Sequence, residues 1–110
     1  MAVLPVNSVS RAGLSEASLF NACTAGGDLL PNDGRQWVEI INASGGAITV
    51  TANGYIDGAN VAVKTYSIPA TTGRFKIGPF PPGTFNNASN QVSLTYSAVT
   101  TLTIAAFTLG

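Results

Sequence analysis

Residues 35–52 read Arg-Gln-Trp-Val-Glu-Ile-Ile-Asn-Ala-Ser-Gly-Gly-Ala-Ile-Thr-Val-Thr-Ala, and this stretch decides the fold class. In Ala47–Ala52, Ile48 and Val50 fall on one face and Thr49 and Thr51 on the other, the period-two pattern of a half-buried strand. In Arg35–Ala43, Trp37, Val38, Ile40 and Ile41 place apolar groups on both faces, as in a strand covered by other layers on both sides. Between them, Ser44-Gly45-Gly46 predicts a hairpin-type turn.

The same grammar continues to the C-terminus. Asn53-Gly54 and Asp57-Gly58 read as turns flanking a short Tyr55-Ile56 piece. Val61–Ile68 sets Val61 and Val63 against Lys64 and Tyr66, and Pro69–Thr72 breaks the chain. Gly73–Gly78 is a short strand with Phe75 and Ile77 inward. The prolines of Pro79-Phe80-Pro81-Pro82-Gly83-Thr84-Phe85-Asn86-Asn87 lack donors and keep this segment out of a sheet. Gln91–Ser97 and Thr100–Leu109 again alternate. Six or seven strands in about 75 residues, at short and regular spacing, predict an all-β domain over residues 35–110: an antiparallel β-sandwich, jelly-roll-like. No helix intervenes, so antiparallel pairing is expected throughout.

Residues 1–34 differ. They lack sustained alternation, and the one stretch able to form a short helix, Ser8–Phe20, is interrupted by Gly13. They read as an extended N-terminal arm ending in the turn clusters Gly26-Gly27-Asp28 and Pro31-Asn32-Asp33-Gly34. The start Met1-Ala2-Val3-Leu4-Pro5-Val6 has no basic region and no long apolar run, so no secretory signal is expected. No stretch approaches a membrane span.

Composition narrows function. The 110 residues, 11.2 kDa, carry five basic and five acidic side chains, no histidine and one cysteine. A chain of this mass should expose ~5,700 Å² when folded, against ~16,000 Å² unfolded, enough for one modest core. Zero net charge leaves no cationic face for a nucleic acid. Without histidine there is no Ser-His-Asp triad, no Cys-His pair and no histidine metal site. One cysteine excludes an intrachain disulfide and a thiolate cluster, and the missing disulfides point to folding in a reducing cytosol. No cofactor, metal or catalytic residue is expected.

Individual candidates read mainly as structural. Asp28, Asp33 and Asp57 belong to turns, and Glu39 lies mid-strand, where Arg35 or a partner chain could compensate it. Cys23 has no activating neighbour in sequence and reads as a small apolar filler. Trp37 is expected in the core; the competing reading is a sugar-stacking platform with Tyr55, Tyr66 or Tyr96 beside it. Lys64 and Lys76 read as outward strand positions. Two phenylalanines and two prolines in the Phe80–Asn87 connection form either the end-cap of the sandwich or a rigid intermolecular contact. The residues expected at a subunit or partner interface are Leu4, Val6, Val9, Leu14 and Phe20 in the arm, with Phe80, Pro81, Pro82 and Phe85 in the loop.

Several pieces, taken in order, resemble one family: Gly26-Gly27-Asp28, Pro31-Asn32-Asp33-Gly34-Arg35, Ile77-Gly78-Pro79-Phe80-Pro81-Pro82, and Val92–Thr103 as V-S-L-T-Y-S-A-V-T-T-L-T. They are similar to small capsid decoration, or cement, proteins encoded in the head-morphogenesis region of tailed bacteriophages. The likeness covers residues 26–110. It implies a non-enzymatic β-sandwich or jelly-roll subunit, made in the host cytoplasm and carried on the capsid exterior of the virion. It further implies a homotrimer at local three-fold positions, bound to the phage major capsid protein, with the arm crossing a neighbour. The alternatives are a carbohydrate-binding β-sandwich and a head-fibre or tail-neck component of a virion.

Overall fold

β-Branched and aromatic residues at alternate positions favour extended backbone because their restricted χ1 suits a pleated surface, and strands take up most of the chain. The computed structural model describes residues 2–16, 18–71 and 73–109. Its elements are β1 (Ala2–Val3), β2 (Val6–Val9), β3 (Asn21–Ala22), β4 (Asp28–Pro31), β5 (Gln36–Asn42), β6 (Ile48–Ile56), β7 (Ala59–Ile68), β8 (Gly73–Ile77), α1 (Pro82–Phe85), β9 (Gln91–Tyr96) and β10 (Leu102–Leu109). One sheet has the order β1-β4-β9-β6-β7; the other runs β2-β10-β5-β8, with β3 also pairing β10. From β4 onward only β6 to β7 is a hairpin; the other connections cross between sheets, a jelly-roll-like winding.

The sheets enclose one core. Leu30, Val50, Ala52, Ile68, Val92 and Leu94 of the first sheet meet Val38, Ile40, Ile77, Leu102, Ile104 and Ala106 of the second, all essentially inaccessible to water. The result is a slab of 37 × 36 × 19 Å exposing 5717 Å², the ~5,700 Å² that mass alone predicts for a single domain.

Three expectations are corrected. First, pairing is mixed: β1 runs parallel to β4, and β2 parallel to β10. Both parallel pairs involve the N-terminal residues, whose strands are laid into both sheets. No helix occurs among the described residues of 8–20. Second, Ser44-Gly45-Gly46 is a crossover between sheets. Asn42, fully buried, directs it: its Nδ2 donates to the carbonyls of Gly46 and Ile68 (both 3.0 Å), and its Oδ1 accepts from the Ser44 backbone N–H (2.9 Å) and hydroxyl (2.6 Å). Third, Asn53-Gly54 lies inside β6, because the buried Asn53 amide donates to the Ser93 carbonyl (3.1 Å) and to Thr95 (3.3 Å) of β9. The turn is Asp57-Gly58, with φ of 51° and 79°, the left-handed pair of a tight hairpin. Helix occurs once among the described residues, as the four-residue α1.

Gly54 holds α1 against β6. A Cβ there would lie 2.7 Å from both the Thr84 carbonyl oxygen and a Val63 methyl. Gly54→Ala should therefore displace α1 at a cost of about 1–3 kcal/mol, lowering the melting temperature by more than about 5 °C. Gly45→Ala, where a Cβ meets nothing within 4 Å, should melt like the wild type; thermal denaturation followed by circular dichroism checks both.

Candidate interaction surfaces

The residues expected at an interface divide by burial. Leu4 and Phe80 belong to the chain's own core, which corrects their assignment. Leu4 is drawn in by its backbone N–H, which donates to the Leu29 carbonyl at 2.8 Å. Phe80 is fixed by its carbonyl, which accepts from Asn32 Nδ2 at 2.9 Å, while Asn32 Nδ2 also donates to Asn86 Oδ1 and Asn86 Nδ2 donates to the Asn32 backbone carbonyl, both at 2.8 Å. Phe85 packs edge-on against Phe80, 5.3 Å between centroids. The aromatic loop is thus an end-cap, with Pro81 and Pro82 exposed on its rim. Val6, Val9 and Phe20 are half-buried and Leu14 is exposed.

A larger apolar surface comes from residues that alternation reads as inward. β6 and β7 run on as a hairpin past the end of the shorter β8. Between Ala52 and Asn53 the register shifts, and Val63 is left without a partner. The bulge changes which residues share a face. Ala52 faces the core, so Gly54 and Ile56, with their partners Val61 and Ala59, continue the core-facing side, and Val63 touches the Gly54 position. Beyond the sandwich, Ile56 is 53% exposed and Val61 and Val63 each 44%, with Tyr55 also exposed nearby. The strand lengths carry the signal: ten residues in β7 against five in β8 leave an overhang.

The outer face of the second sheet is also organised. Glu39, buried, is compensated by β8 and not by Arg35: Arg74 donates to Oε2 through Nε (3.0 Å) and Nη2, and Lys76 Nζ lies 3.4 Å from Oε1. Arg74 also meets Glu16 at 3.3 Å, so the segment after β2 crosses the sheet's outer face from one edge to the other. Trp37, expected in the core, is half-buried on this face. It stacks on buried Phe107 with centroids 4.8 Å apart and lines a groove of about 440 Å³ with Arg35, Lys76, Ile77, Gly78 and Pro79. Gly78 has φ 130°, and a Cβ there would lie 2.9 Å from Trp37 Cβ and 3.0 Å from its Cα, so only glycine lets this connection lie so close to the β5 backbone at Trp37.

Inside the sandwich, Asp28 Oδ2 accepts from Tyr96 Oη (2.8 Å) and the Thr24 backbone N–H (3.1 Å). Cys23 lies beside them. Burial pushes its thiol up from the ordinary 9.0 to about 12, opposed by the hydrogen bond with Tyr96 and reinforced by the Asp28 charge. Burial likewise drives the Tyr96 phenol strongly up, with Cys23 and Asp28 adding to it. Neither group is an activated nucleophile. Among the described residues no three His, Cys, Asp or Glu side chains gather to hold a metal. No family model, curated protein or solved structure matches the chain.

This buried pair sets a pH dependence. Both groups stay neutral in the folded state, whereas the unfolded thiol ionises from about pH 9 and the unfolded phenol from about pH 10. Their contribution to stability is intact below pH 9 and declines as pH rises towards 12, by at most about 1.4 kcal/mol per pH unit for each group. Urea denaturation between pH 8 and 11 should show this fall, and Cys23→Ser should flatten its first part.

Proposed function

We propose that this chain is a non-enzymatic virion subunit that decorates the head of a tailed bacteriophage, binding the outer surface of the major capsid protein shell as a homotrimer. The observation that carries this reading is the apolar overhang of the β6–β7 hairpin, on a chain with only ten charged residues. Exposed ion pairs are screened by salt, whereas apolar contact is not, so such a surface suits a partner met under changing ionic conditions.

The magnitudes favour repeated attachment. Ile56, Val61, Val63 and Tyr55, each about half exposed, offer roughly 3–5 kcal/mol on full burial. Association costs about 4–15 kcal/mol in lost freedom, so one overhang holds weakly. Three overhangs on a closed trimer make the later contacts intramolecular and raise avidity without new chemistry. The resemblance of Ile77–Pro82 and of Val92–Thr103 to head decoration proteins supports the same reading.

The test is co-sedimentation with expanded heads lacking their decoration, beside light scattering of the free protein. The expected results are a mass near three times that of the chain and binding that stabilises the heads to heat. Ile56→Asp with Val61→Lys should abolish binding while the chain still folds and melts cooperatively, because both side chains lie beyond the sandwich core and are about half exposed. A monomer that leaves the heads bare contradicts the proposal.

A further inference from the structure

We propose that the groove beside Trp37 binds a carboxylated sugar residue, such as a uronic or sialic acid. This inference does not rest on the head-surface reading. The groove's volume, about 440 Å³, falls in the range of small-ligand sites, roughly 300–1,000 Å³, and accommodates one or two pyranose rings. Trp37 lines the groove, and an indole face carries negative π density that matches the weakly positive C–H face of a sugar ring. The indole is preorganised by its stacking on Phe107, so little freedom is lost on binding.

The charged groups lining the groove are two cations and no acid. Arg35 is 70% exposed and pairs at 3.2 Å with Asp33, itself 56% exposed. Such a surface pair is worth little and gives way to a ligand carboxylate. Lys76 is 68% exposed and 3.4 Å from Glu39. Glu39 already receives Arg74 on its other oxygen, which leaves Lys76 donors free for a ligand. A guanidinium and an ammonium flanking an apolar floor are complementary to one carboxylate on a ring with an apolar face.

Polynucleotide is disfavoured by the same inventory. Single-stranded nucleic acid also stacks on aromatic groups, but it requires a continuous cationic track. Here Asp33, Glu39 and Glu16 lie beside Arg35, Lys76 and Arg74 and cancel any longer-range field.

Trp37 is the chain's single tryptophan, so its emission reports the groove directly. Titration of the full chain with glucuronate and with N-acetylneuraminate should give a saturable emission change with millimolar affinity. Glucose should bind about tenfold more weakly, and added salt should weaken the acidic sugars alone. Arg35→Gln, at a solvent-exposed pair, should weaken glucuronate about tenfold without lowering the melting temperature. In Trp37→Leu, saturation-transfer NMR of the sugar protons should show loss of contact; Arg35→Gln keeps the test decisive where Trp37→Leu unfolds. No emission change with either acidic sugar, an equal response to glucose, indifference to Arg35→Gln, or saturation by oligothymidylate instead of sugar would each overturn the proposal.

Discussion

Strand β10 is buried on both faces and paired on both edges, and the rest of the molecule is arranged around it. Leu102, Ile104 and Ala106 point into the core between the sheets, while Ala105 and Phe107 are equally inaccessible on the other face. Along one edge it pairs with β5 from Leu102 to Thr108; along the other it takes β3 at its start and β2 at its end. A strand enclosed in this way cannot be removed without exposing both layers and stranding backbone donors. The N-terminal residues are therefore structural, because they supply the pairing that the second edge of β10 requires.

Buried asparagines do the steering that charges do in many domains. Asn42 turns the chain from one sheet to the other, Asn53 keeps β6 aligned with β9, and Asn32 clamps the aromatic loop. Each satisfies several partners at once, so a buried amide costs little. This explains how a chain with 9% charged residues still specifies one arrangement. It leaves the surface with few ion pairs and two distinct apolar features, the hairpin overhang and the Trp37 groove.

The sandwich was legible where one side chain per position settles the face. Ile48 and Val50 against Thr49 and Thr51 placed β6, and the double-sided apolar run of β5 announced a covered strand. Legibility failed where a single long-range contact overrides the local pattern. Asn42 looks like any strand-end residue until its partners at Gly46 and Ile68 are known. Val61 and Val63 read as inward until the bulge opposite Ala52 and the shorter β8 leave them outside. Leu4 and Phe80 looked like contact residues because nothing local shows that Leu29 and Asn32 draw them into the core. Trp37 failed in the opposite direction: a large aromatic on a central strand reads as core, yet the face it occupies is closed on only one side.

The claim on which these readings depend is that the N-terminal residues are part of the sandwich while the β6–β7 hairpin stands outside it. Amide hydrogen exchange of the free chain tests it directly. Ile104–Phe107 should exchange only through global unfolding, Val6–Val9 should share much of that protection through β10, and residues 55–63 should exchange fastest of the hydrogen-bonded strand amides. Coil-like exchange at Val6–Val9, with the hairpin as protected as β10, would contradict the account.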